Sequence, residues 1–223
     1  MIKPVVITVG LLVVIGGGAF GVDRTVAAAA EGTITGRIEQ QFAGSSSVST
    51  RIHGIPVLTQ VARGSLDDVT VSLDHVPTSA GLVLDVVDVE LRDVATAAPY
   101  LARTVTARAL VTMAALETRL GVGWAVRASG RDLIVTGTGL LPVTVRVTPR
   151  VQSGRLVLTL ASVSLLGVEV EGANIPRAVT DRVAALADSV GTLPLGLALD
   201  SVEVGSRGVT LTASGADISL ESV

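Results

Sequence analysis

GLVLDVVDVELRDV, residues 81–94, reads as a strand whose apolar side changes partway along. Side chains alternate across a strand, so positions two apart share a face. Leu82, Leu84 and Val86 share one face, whereas Val87, Val89 and Leu91 share the other. A slip of one residue turns every later side chain over unless something absorbs it. The pattern predicts a bulge between residues 85 and 89, or a strand that passes there from one apolar cover to another. An ordinary sandwich strand needs neither, whereas a long curved strand around a tubular core needs one of them. The run before it, LDDVTVSLDHV (66–76), is a simpler half-buried strand. Val69, Val71 and Leu73 point one way, and Asp68, Thr70, Ser72 and Asp74 point the other.

The rest of the chain supports a mainly antiparallel α+β domain. Further strands are expected at 48–53, 122–129, 132–138, 141–150 and 154–166, with hairpin turns at SGRD (129–132) and QSGR (152–155). A last hairpin, LALDSVEV (197–204) and GVTLTASGADISL (208–220), turns at Gly205–Gly208. Three helices are expected. The first covers 23–43, where Val26, Ala30, Ile34, Ile38 and Phe42 form one stripe. The second covers 103–120 and stops at Gly121; the third follows Pro176 and runs to about Ser189. Between the strands at 48–53 and 66–76, Ile55-Pro56-Val57-Leu58 reads as an unusually apolar loop.

Composition narrows the function. Nearly half of the 223 residues are apolar but only four are Phe, Trp or Tyr, so the interior is aliphatic. The net charge of −3 is mild, Lys3 is the only lysine, and there is no basic stripe. Nucleic acid is thus not an expected partner. With no cysteine, disulfides and thiolate metal sites are excluded.

Residues 1–22 read as an export segment, either a signal-anchor or a cleaved signal peptide. Pro4–Val22 is an uncharged run of 19 residues. As a helix it spans roughly 28 Å, near the hydrocarbon thickness of a bilayer. The same segment offers a short apolar region, Val5–Ile15, followed by small residues around Ala19 and Gly21. Both readings place residues 23–223, a single domain, on the outer face of the plasma membrane.

Candidate chemistry is sparse. Asp85 and Asp93 lie on one side of their strand and Asp88 and Glu90 on the other, so the four carboxylates do not converge on a metal. His53 and His75 have no accompanying metal-ligand or nucleophile-elbow motif. Ser45–Ser47 sit in a Gly-Ser linker. Neither a cofactor nor catalysis is expected.

HGIPVLTQVARGSLDDVTVSLDHV (53–76) resembles the signature of the LmeA-like family of actinobacterial cell-envelope phospholipid-binding proteins. Gly54, Pro56, Leu58, Thr59, Gln60 and Gly64 match its pattern, while Ile55 and Val57 stand where the family favours aromatics. The ending LPLGLALDSVEVGSRGVTLTASGADISL (193–220) is similar to the family's ending too. The resemblance implies a long, highly curved antiparallel sheet wrapped with about three helices around an elongated apolar cavity, a TULIP-like architecture. It implies a non-enzymatic protein that binds or transfers phospholipid at the membrane and supports envelope lipid or lipoglycan maturation. Ile55, Val57 and Leu58 are then candidates for the mouth, and Leu82, Leu84, Val86, Leu110, Met113 and Leu116 for the lining. The rival expectations are an envelope scaffold with a closed core and an exported hydrolase.

Overall fold

A computed structural model of the chain describes residues 27–32, 35–36, 47–54, 56–78, 81–138, 142–170, 177–188, 193 and 196–220. The export segment lies outside these residues. No helix among the described residues is long and apolar enough to cross a membrane. The elements are β1 (Ser47–His53), α1 (Val57–Arg63), β2 (Ser65–Pro77), β3 (Val83–Ala95), β4 (Leu101–Thr112), α2 (Met113–Leu120) and β5 (Trp124–Ser129). They continue with β6 (Asp132–Gly137), β7 (Val143–Gln152), β8 (Arg155–Leu165), β9 (Val168–Val170), α3 (Arg177–Asp188), β10 (Ala198–Val204) and β11 (Gly208–Ser219). Residues 27–32 and 35–36, inside the first expected helix, are helical.

The strands form two antiparallel sheets rather than one long sheet. One has six strands in the order β1-β2-β3-β4-β11-β10, and the other is the meander β5-β6-β7-β8-β9. Both edges of β4 are occupied, by β3 and by β11. The chain leaving β4 therefore has no edge to extend there. It turns through α2 and starts a second sheet.

Most of the expected helix at 103–120 is strand. Residues 101–112 include β-branched Thr104, Val105, Thr106, Val111 and Thr112 and pair on both sides, which outweighs a helical spacing present only at their C-terminal end. The helix begins where Thr112 Oγ1 accepts a hydrogen bond from the Ala115 N–H at 3.3 Å.

The six-stranded sheet absorbs the phase slip without a bulge. Pairing of β2 with β3 keeps one register from Leu66↔Val94 to Pro77↔Val83. The core-facing pairs are Leu66–Val94, Val69–Leu91, Val71–Val89, Leu73–Val87 and Val76–Leu84. On each strand the steps are three, two, two and three residues. Both strands slip at the same place, so register survives and these five apolar pairs stay on one side. The expected bulge between 85 and 89 is absent from this pairing because β2 makes a matching step at His75, opposite Asp85. The other step continues across the sheet. Pairing skips Asp67 opposite Asp93, Asp93 opposite Arg103, and Arg103 opposite Asp217. His75, Asp93 and Asp217 have φ of 53°, 50° and 51°. Asp and His are among the residue types that best tolerate this left-handed region.

The apolar stretch at 55–58 is not all loop, since Val57 and Leu58 are helical. Ile55 lies outside the described residues, and Val57 opens α1. Pro56, extended at φ −81° and ψ 139°, caps the helix start, and its carbonyl accepts from Thr59 Oγ1 at 2.8 Å. Gly64 ends the helix at φ 85°. Val57 is buried in the core, and Gln60, only 2% exposed, bridges the two strands flanking the helix. Its Nε2 donates to the His53 carbonyl at 3.1 Å, and its Oε1 accepts from the Asp67 N–H at 2.9 Å. Gly54 sits beside it at φ 88°, where a Cβ would lie 2.5 Å from Gln60 Nε2.

Two apolar clusters result. The first lies under β1, β2, β3, α1, the start of β4 and the end of β11. The second involves α2, β5 to β8, β10 and β11. Leu84 and Leu197 pack against both. Leu197 fits because Gly215 has no side chain: a Cβ there would meet Leu197 Cδ2 at 2.9 Å and Ile218 Cδ1 at 2.8 Å. The sheets are also tied through backbone, the Leu199 N–H donating to the Gly154 carbonyl at 3.0 Å.

Two predictions test this account in urea titrations. Gln60→Leu keeps the volume but orphans the His53 carbonyl and the Asp67 N–H, so it costs about 1–3 kcal/mol for each group. Asp93→Val costs about 1–2 kcal/mol because its backbone is left-handed, whereas Asp93→Asn stays within about 0.5 kcal/mol. Equal stability of the valine and asparagine variants would refute the role given to Asp93.

Candidate functional site

The second cluster is less completely closed than the first, and β8 shows why. Arg155, Val157, Thr159 and Ala161 of β8 are exposed, while the alternating Leu156, Leu158 and Leu160 are only half-buried. On the neighbouring strand Val143, Val145 and Val147 are buried. Pairing of β7 with β8 shifts between Arg146 and Val147, placing Ala161 out of register. The bulge changes the phase of β8, so that Val163 is fully buried after a run of half-covered leucines. α3 lies against β8, and β10 lies against β7 and β8. Half-buried Met113, Leu120, Leu197, Val202 and Val204 complete the apolar rim of this cluster.

The expected lining and mouth residues that are described fall into three groups. Leu82 and Leu116 are buried in the second cluster, 1% and 5% exposed, with Met113 and Leu84 at its border. Val86 and Leu110 pair with each other across β3 and β4, both half-buried. Val57 and Leu58 belong to α1, remote in sequence from that cluster; Val57 points into the first cluster and Leu58 is 37% exposed. Sequence reading missed the leucine row of β8, although its strict alternation is visible. It missed as well Leu197, whose joining role depends on Gly215.

The acidic residues of β3 do not converge. Asp88 accepts from Ser72 Oγ at 2.6 Å, Glu90 pairs with Arg92, Asp93 Oδ2 lies 3.7 Å from Arg103 Nε, and Asp85 Oδ1 lies 3.7 Å from His75 Nε2. Among the described residues no group of three or more potential ligands could hold a metal ion. His53 Nε2 stands 3.1 Å from Thr70 Oγ1.

Charge in the five-stranded sheet gathers towards one end. Asp132 accepts from Thr148 Oγ1 at 2.7 Å and from Arg146 at 3.3 Å. The Thr148 hydrogen bond, aided by Arg146, holds its carboxyl below the usual range. Arg131 lies in the β5–β6 turn, and Arg155 opens β8 next to the β7–β8 turn at the same end. The opposite end, built from the start of β5, the end of β6, the start of β7 and the β8–β9 turn, has Val122, Leu166 and Val168 exposed.

Comparison with curated proteins and with solved structures gives no match. A family model, described as LmeA-like phospholipid-binding, matches residues 21–214 and so takes in both sheets and the α1 clasp. Of the residues that carry the family pattern, Gly54, Pro56, Thr59, Gln60 and Gly64 build that clasp, and Leu58 faces outward from it. The chain belongs to the LmeA-like phospholipid-binding family.

Proposed function

We propose that the protein binds phospholipid without chemically altering it, with the acyl chains against the half-covered leucine face of β8. The supporting observation is that row, Leu156, Leu158 and Leu160, bordered by α3 and β10 in a member of a phospholipid-binding family. Half-exposed aliphatic side chains on the inner side of a strand are an unfinished core. Removing them from water stabilises by roughly 25 cal/mol per Å² of apolar surface, and an acyl chain laid along them supplies that cover. The same cover lowers the barrier to lipid movement through water, which costs about 0.8 kcal/mol per methylene. In this reading an elongated apolar cavity runs between the sheets, with the headgroup held near its polar rim. In the same reading residues 1–22 act as an export segment, the domain works at the outer face of the plasma membrane, and lipid transfer there supports envelope lipid or lipoglycan maturation.

Native mass spectrometry of the purified protein tests the reading. Wild type is expected to carry phospholipid. Leu158→Asp, with an unchanged circular dichroism spectrum, is expected to lose at least about tenfold in lipid affinity, because a charge then faces the acyl chain. A lipid-free wild type that also fails to load from vesicles would sink the proposal and favour a closed scaffold.

A further inference from the structure

We propose that the apolar end of the five-stranded sheet is the part of the domain that inserts into a lipid bilayer. This rests on the phospholipid-binding reading and names the surface through which that site meets its membrane.

Register places the exposed residues along one edge. Trp124 pairs with Gly137, Gly137 with Val143, Val143 with Leu165, and Leu165 with Val168. The Leu166 N–H donates to the Pro142 carbonyl at 3.1 Å, and the Thr138 N–H to the Gly123 carbonyl at 2.8 Å. These pairings run the width of the sheet, four strand spacings or roughly 19 Å. Val122 is 106% exposed, Leu166 64% and Val168 68%. Just inside them, Leu120, Trp124 and Leu165 pack against the second cluster. The exposed row is thus continuous with the half-covered apolar surface.

The β8–β9 turn provides a second, independent observation. Leu166 and Gly167 both have positive φ, 54° and 82°, in a two-residue turn between the paired Leu165 and Val168. That is the geometry of a type I′ turn, for which Asn-Gly is preferred. At the opposite end of β8 a turn of the same kind uses Ser153-Gly154, with φ of 51° and 72°. A leucine in the left-handed region, pointing into solvent, is disfavoured both by its backbone and by its hydration. Burial of the side chain in a membrane removes the second penalty, and such outliers gather at functional positions.

Charge selects the partner. The described residues 120–124, 137–138, 142–143 and 164–168 carry no charge, and the flanking charges along the chain, Arg119 and Glu169, have opposite signs. The surface offers nothing to anionic headgroups beyond apolar burial. Insertion is therefore expected to be insensitive to salt and to lipid charge, unlike adsorption through basic residues. Leu58, at 37% exposure on α1, has no comparable row beside it among the exposed large apolar side chains of the described residues.

The chain has no cysteine, so single cysteines can carry an environment-sensitive fluorophore in the full-length protein. Val122→Cys, Leu166→Cys and, as a control, Ser153→Cys are reconstituted in phosphatidylcholine vesicles containing lipids brominated on their acyl chains. Probes at 122 and 166 are expected to be quenched by bromine and shifted to the blue, equally at low and high salt, while the probe at 153 reports water. In a second arm, Leu166→Asn is added to Val122→Cys. It is expected to hold or raise the melting temperature, since it supplies the residue the turn prefers, while weakening bromine quenching several-fold. Water-exposed probes at 122 and 166 in protein that still carries phospholipid would overturn the insertion proposal and leave lipid binding standing. Quenched probes in protein that never carries phospholipid would leave insertion standing and remove lipid binding. Concentration-dependent shielding of both probes without vesicles would overturn the proposal in favour of a second copy of the chain.

Discussion

The shared step in the strands of the six-stranded sheet is the constraint on which the first core depends. Residues 67, 93, 103 and 217 fall in one line across β2, β3, β4 and β11, and all three pairings that the line crosses skip them. If one strand alone took a three-residue step, its partners would lose register or present their polar face to the core. Because all four step together, Leu66, Val94, Ala102 and Ile218 stay on the same side as Val69, Leu91 and Val105. Residues that tolerate left-handed backbone, Asp93 and Asp217, make this affordable on alternate strands.

The two sheets depend on each other through a few small residues. Gly215 leaves room for Leu197, which packs against both clusters, and Gly154 brings the β7–β8 turn within 3.1 Å of the Ala198 side chain for any added Cβ. The backbone bond from Leu199 to Gly154 then joins the sheets where side-chain contacts alone would slide. The α1 clasp performs a similar service at the other end. Gln60 satisfies one backbone group from β1 and one from the start of β2, so the helical connection between them is held against both strands.

The contrast between the clusters carries the functional meaning. A closed core needs its large aliphatic side chains fully covered, as Leu66, Leu91 and Val105 are. The inner leucines of β8 are not, and the same sheet ends in exposed Val122, Leu166 and Val168. In the proposed reading, these half-covered aliphatics leading to an uncharged apolar edge offer one continuous route for an acyl chain. The turn at Leu166-Gly167 shows that the edge does not result from turn chemistry, which favours a polar residue there.

Much of this protein was legible in the chain itself. Alternation located the strand pairs and hairpins, the apolar run before Asp23 marked an export segment as an expectation, and GIPVLTQVARG pointed to the family. The phase change in GLVLDVVDVELRDV was real, since Leu84 and Val87 do face the same core. Its resolution was not legible, because the matching step at His75 belongs to a partner strand and only pairing brings the two together. For the same reason α1 read as a loop: its helix is held by Gln60 bridging strands seven residues away on either side. Local periodicity reports what one segment prefers. Whether β4 had a free edge, which leucines were left half-covered and which turns shared one end of a sheet were decided by strand order. Strand order is a property of long-range pairing that no single stretch of sequence contains.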